Sequence, residues 1–96
     1  MKKIFTATID WISREEGGRA VIPLKGTRYC PIIKFDASNE KLWSIDFICP
    51  DFCETNIIQF SFLVGNAPEN RISINNYYDL FEGDKKVATV KIKSVI

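Results

Sequence analysis

Two cysteines spaced by three residues, in Cys49-Pro50-Asp51-Phe52-Cys53, are the nearest thing in this sequence to a metal or redox motif. A structural zinc needs four ligands, usually thiolates or imidazoles. The chain offers one further cysteine, Cys30, and no histidine. A dithiol redox pair is ordinarily Cys-x-x-Cys at a helix start in a βαβ unit, and the spacing here is different. These thiols are expected to act as small hydrophobes in a reducing compartment, with no metal and no cofactor. The missing histidine also removes the usual general base for a serine or cysteine nucleophile. Glu15-Glu16 supplies a carboxylate pair, yet adjacent residues in a turn do not face each other across a substrate. No enzymatic activity is expected.

Binding chemistry is better represented. Arg14, Arg19, Lys25 and Arg28, with Lys85 and Lys86 further on, form a candidate basic surface, and Trp11 and Tyr29 are candidate stacking partners for bases. In Glu15-Glu16-Gly17-Gly18-Arg19 a glycine-built turn would hold Arg19 out toward a phosphate or a carboxylate, or would simply reverse the chain with its charges solvated. Glu15, Glu16, Glu82 and Asp84 are interleaved with these cations, and the whole chain carries 13 basic against 12 acidic residues. A dedicated nucleic-acid binder shows a clear basic excess. A mixed-charge, solvated surface is therefore expected, with no DNA and no membrane as partners.

The elements that must position these residues read as strands. Hydrophobic residues make up 46% of the 96, enough for one core in a single domain spanning residues 1–96. Phe5, Ala7, Ile9 and Trp11 alternate with polar neighbours across Lys3–Ile12, and further runs follow at Ala20–Leu24, Tyr29–Phe35, Leu42–Cys49, Ile57–Val64, Tyr77–Phe81 and Val87–Ile96. In the fifth run Ile58, Phe60, Phe62 and Val64 share a face. Ile72–Ile74 is a short strand or the approach to the next one. Asp36–Asn39 and Glu82–Lys85 are turn clusters, and one helical turn has room near Cys49–Glu54. Ile4, Ile33 and Ile57 are expected on outer faces as a possible apolar patch. The opening Met1-Lys2-Lys3 resembles a signal-peptide start, but Thr6, Thr8 and Asp10 break the apolar run that would follow. It is read as a strand of a cytoplasmic protein. Short strands at this spacing predict an all-β barrel, whose closure leaves no open edges.

Ser13–Arg19, followed by Pro23, Gly26, Arg28, Pro31 and Phe35, resembles the start of the third domain of elongation factor Tu. Pro50-Asp51 lies where that family has a Met-Pro-Gly-Asp turn. Tyr78-Asp79-Leu80-Phe81-Glu82-Gly83-Asp84-Lys85-Lys86-Val87 is similar to the family's Phe-Ala-Ile-Arg-Glu-Gly-Gly-Arg-Thr-Val. The resemblance implies a six-stranded antiparallel Greek-key barrel, which in the full-length factor helps cradle the T stem of aminoacyl-tRNA and packs against the GTPase domain. This chain has no Gly-x-x-x-x-Gly-Lys-Ser/Thr phosphate loop. Arg19 is kept, but Ala20 stands where the family has histidine, and Asp84 replaces a glycine.

The function expected from all this is a non-catalytic binding module. Its partner is a protein, or alternatively tRNA or another RNA. The residues expected to carry binding are Arg14, Arg19, Arg28, Lys85 and Lys86.

Overall fold

A computed structural model of the chain describes residues 2–19, 21–35 and 42–96. The expected turn at Asp36–Asn39 lies outside the described residues, as does Ala20. Seven strand segments occur: β1 Phe5–Trp11, β2 Arg28–Tyr29, β3 Ile32–Lys34, β4 Trp43–Ile48, β5 Ile57–Phe62, β6 Tyr77–Glu82 and β7 Lys85–Val95. Among the described residues the only helical pieces are single 3-10 turns at Arg14–Glu16 and Glu69–Arg71.

β2 and β3 are two pieces of one strand. Arg28 pairs with Ile48, Tyr29 with Phe47, Ile32 with Ser44 and Ile33 with Trp43, so the register against β4 runs through the gap unbroken. The gap falls at Cys30-Pro31, where proline has no N–H to donate. Pro31 still accepts a bond from the Ile45 N–H at 3.0 Å. Counted this way, six strand positions close on themselves: β1 pairs with β5 and β7, β5 with β4, β4 with β2 and β3, β3 with β6, and β6 with β7, every pair antiparallel. The result is an all-β, closed, antiparallel barrel with one short extra segment. The hairpin-linked β3, β4 and β5 are followed by a long connection that returns β6 beside β3, a Greek-key arrangement.

Alternation decides what lies inside. Phe5, Ala7 and Ile9 from β1, Ile45 and Phe47 from β4, Ile58, Phe60 and Phe62 from β5, and Val90 and Ile92 from β7 form one buried cluster with Leu80 and Ile33. Phe5 stacks on Phe60 with centroids 5.2 Å apart and meets Phe62 edge-on at 6.2 Å. Each of these aromatic side chains, fully buried, stabilises the fold by about 1.5–3 kcal/mol. In β7 the pattern breaks: Leu80 pairs with Ala88 and Phe81 with Lys86, which leaves Val87 as an extra residue. This β-bulge turns both Val87 and Ala88 inward, and both are fully buried.

Several expectations need correction. Ile33 is 1% exposed, because Tyr29, Pro31 and Ile33 share the inward parity of their strand; Ile4 and Ile57 are exposed as expected. β5 ends at Phe62, so Val64 is exposed in the loop beyond it. Ile72 is buried without being in a strand, and Ile74 is exposed. Of the expected strand at Ala20–Leu24, the described residues Val21–Leu24 pair with no strand. Pro23 cannot donate to a ladder there. Near Cys49–Glu54, where the sequence has room for a helical turn, the chain makes a hydrogen-bonded turn and no helix: Asp51 C=O accepts from Glu54 N–H at 2.9 Å and Thr55 N–H at 3.1 Å.

Candidate functional site

After β1 the chain makes the 3-10 turn Arg14–Glu16 and must then double back over one mouth of the barrel. The two glycines do different things. Gly17 caps the turn at φ +93°, a conformation a side chain disfavours. Gly18 passes against the backbone of Ile12, where an added Cβ would fall 1.9 Å from the Ile12 carbonyl oxygen. Only glycine fits at that contact. Its effect is to deliver Arg19 to the barrel mouth.

Arg19 does not extend into solvent. Its Nε donates to the Val21 carbonyl at 2.8 Å, and its Nη1 forms a hydrogen-bonded ion pair with Glu82 Oε2. The guanidinium carbon lies 5.4 Å from the centroid of Tyr29. The Tyr29 hydroxyl donates to the same Glu82 oxygen. Glu82 thus gathers an arginine from the loop and a tyrosine from β2 at the end of β6. Burial alone pushes the Glu82 carboxyl up, but the Tyr29 hydroxyl and the Arg19 guanidinium outweigh it and hold the group below its ordinary value. The Tyr29 phenol is raised, chiefly by burial and then by its bond to Glu82.

Tyr29 is therefore a core residue, which corrects its expected place as a stacking partner for bases. It contacts Trp11 at 5.7 Å and Phe47 at 5.6 Å, while Trp11 meets Phe52 edge-on at 5.4 Å. Both proposed stacking rings are committed to closing the barrel mouth.

From Val21 to Leu24 the chain belongs to no strand and forms a strap at that end of the barrel. Its far end is fixed by the Leu24–Thr27 turn: Thr27 N–H reaches Leu24 C=O at 3.1 Å, Gly26 N–H reaches Cys49 C=O at 2.8 Å, and Cys49 N–H reaches Thr27 C=O at 2.8 Å. Between the two anchors the strap turns its apolar side chains to solvent. Val21 is 66% exposed, Ile22 43% and Leu24 76%.

The other expected binding residues scatter. Arg28 lies on the outer face and holds Asp46 with two bonds, Nε–Oδ1 at 2.9 Å and Nη2–Oδ2 at 3.0 Å. The Cys30 thiol donates to the same carboxylate at 3.6 Å. Arg28 keeps the Asp46 carboxyl below its ordinary value. Lys86 pairs with Asp79 at 3.1 Å, and Arg14 and Lys85 are exposed. The structure thus brings Arg19 to Glu82 at the end of the barrel, where Lys85 is the cross-strand neighbour of Glu82, while Arg28 pairs with Asp46 and Lys86 with Asp79. Cys49 is buried, and Cys30 and Cys53 are exposed. Among the described residues no cluster of metal-ligating side chains forms, and no helix is long and apolar enough to cross a membrane.

Sequence reasoning missed the strap and the acceptor role of Glu82. The strap had a signal: Val21-Ile22-Pro23-Leu24 is apolar without alternation and contains a proline, a poor pattern for a half-buried strand. Glu82 had none, because its partners lie 63 and 53 positions away in the chain.

No family model matches the chain, and no curated protein matches it.

Proposed function

We propose that this chain is a non-catalytic binding module, built like the third barrel of elongation factor Tu, that engages a protein partner through the Val21–Leu24 strap. The observation that carries the reading is the tethering of the strap: three large apolar side chains stand in solvent on a segment fixed at both ends. Exposed apolar surface costs solubility and is retained where something covers it. A segment already held in one conformation loses little entropy on docking, so more of its contact energy appears as affinity. Free exposed thiols at Cys30 and Cys53 fit a reducing, cytoplasmic setting.

The reading in which tRNA is held by the expected basic set has weaker support. Arg19, Arg28 and Lys86 each already meet a carboxylate. A phosphate would have to displace Glu82, Asp46 or Asp79, exchanging one ion pair for another with little net gain.

The test is capture from cell lysate, with cross-linking to locate the contact, using the wild-type chain and a Val21→Asp/Leu24→Asp double variant. The proposal predicts a specific protein cross-linked at the strap and lost with the double variant, whose circular dichroism is unchanged. Capture indifferent to the two aspartates, or no specific protein at low salt, would sink it.

A further inference from the structure

The outer face of β3, β6 and β7 carries a pattern that the basic set expected from sequence largely bypasses. Outward positions on β6 read Tyr77, Asp79, Phe81. On β7, Lys91 stands directly across from Tyr77 and Lys86 directly across from Phe81. On β3, Lys34 stands directly across from Asp79. The Lys34 ammonium lies 4.1 Å from the Phe81 ring centroid and the Lys91 ammonium 5.6 Å from that of Tyr77. Two aromatic rings two pleats apart along one strand, about 13–14 Å, are thus each flanked by lysine.

Charge on this face is not self-neutralised as it is around Arg19 and Arg28. Asp79 is taken up by Lys86 at 3.1 Å and by the Thr89 hydroxyl at 3.4 Å. Lys34 and Lys91 form no ion pair with a described carboxylate and rest instead against rings. Asp10, exposed on β1, marks the edge of the basic strip. Tyr77 is 66% exposed, so its ring is open to a stacking ligand.

We infer that this sheet face binds single-stranded nucleic acid, with the exposed Tyr77 stacking a base and Lys34 and Lys91 meeting phosphates. Flat rings on an outer sheet surface accept any base, and lysines on both sides track the backbone. A duplex keeps its bases stacked on one another and gives such rings nothing to stack on. The surface is independent of the strap, so the chain would hold a protein and a single strand at once.

Fluorescence anisotropy with a labelled oligo(U) or oligo(dT) 12-mer in 20 mM salt tests this. Binding is expected to weaken with salt at a log–log slope of about −1.4, for two phosphates neutralised on a single strand. Tyr77→Ala should weaken it about tenfold, and Lys91→Glu should weaken it and flatten the slope. A duplex of the same length and heparin, a polyanion without bases, should bind far less. Val21→Asp/Leu24→Asp should bind as wild type, which separates this claim from the protein-docking one. Equal affinity for heparin, or a Tyr77→Ala variant that binds like wild type, would overturn it; so would no binding by the folded wild-type chain.

Discussion

Glu82 is where the barrel mouth is held to the strap, and its consequences can be followed atom by atom. One carboxylate oxygen accepts from Arg19 and from Tyr29. Replacing the carboxylate by an amide keeps an oxygen that can accept but removes the negative charge that pairs with the guanidinium. Glu82→Gln is expected to cost about 1 kcal/mol, at the lower end for a charged hydrogen bond because the site is partly open to solvent. Urea denaturation measures that. The same residue sets a pH dependence. Its folded-state pKa is depressed, so its stabilisation is fully present at neutral pH. That contribution declines as pH falls past the ordinary glutamate value of 4.5 and is gone below the folded value. Melting temperatures of wild type and Glu82→Gln should differ at pH 6 and converge toward pH 3. A constant gap across that range would contradict the assignment. None of this was legible beforehand, because a carboxylate beside a hairpin glycine looks like any solvated turn charge until the fold brings Arg19 and Tyr29 to it.

At the scale of elements, what was readable and what was not divides along the reach of local pattern. The inward sets of β1, β4 and β5 follow strict alternation, and the sequence alone identifies them down to Phe5, Phe47 and Phe60. The β2–β3 strand was readable with its proline in place, since Pro31 removes one donor without disturbing register. Ile33 was misplaced outside for want of one parity step. The bulge at Val87 could not be read, because two adjacent buried residues break the two-residue period that strand recognition relies on. The Gly17-Gly18 pair reads in the sequence as a turn, but the demand that Gly18 makes is tertiary, since it depends on where Ile12 passes. Gly18→Ala is expected to destabilise the protein by about 3 kcal/mol, the upper range for overpacking, because the obstacle is backbone that cannot rotate away. Gly17→Ala should cost about 1 kcal/mol, from the left-handed φ alone. Equilibrium unfolding of both variants measures the difference, and equal costs would mean that the close approach at Ile12 is relieved.

For the whole molecule, closure of the sheet assigns roles to surfaces. Among the described residues the interior is filled with phenylalanine, isoleucine and valine, as in other small barrels. Recognition is left to the mouths and to the outer faces. One end carries the tethered apolar strap, and one outer face carries the lysine–aromatic ladder. Docking through the strap requires that it be held in place, because a mobile apolar loop would carry the ordering cost that the tether removes. Backbone 15N relaxation of the free protein reads this directly. Amides of Val21, Ile22 and Leu24 should have order parameters near 0.85, the value for rigid backbone, whereas values below about 0.6 would mean that the anchors do not hold and would contradict the account.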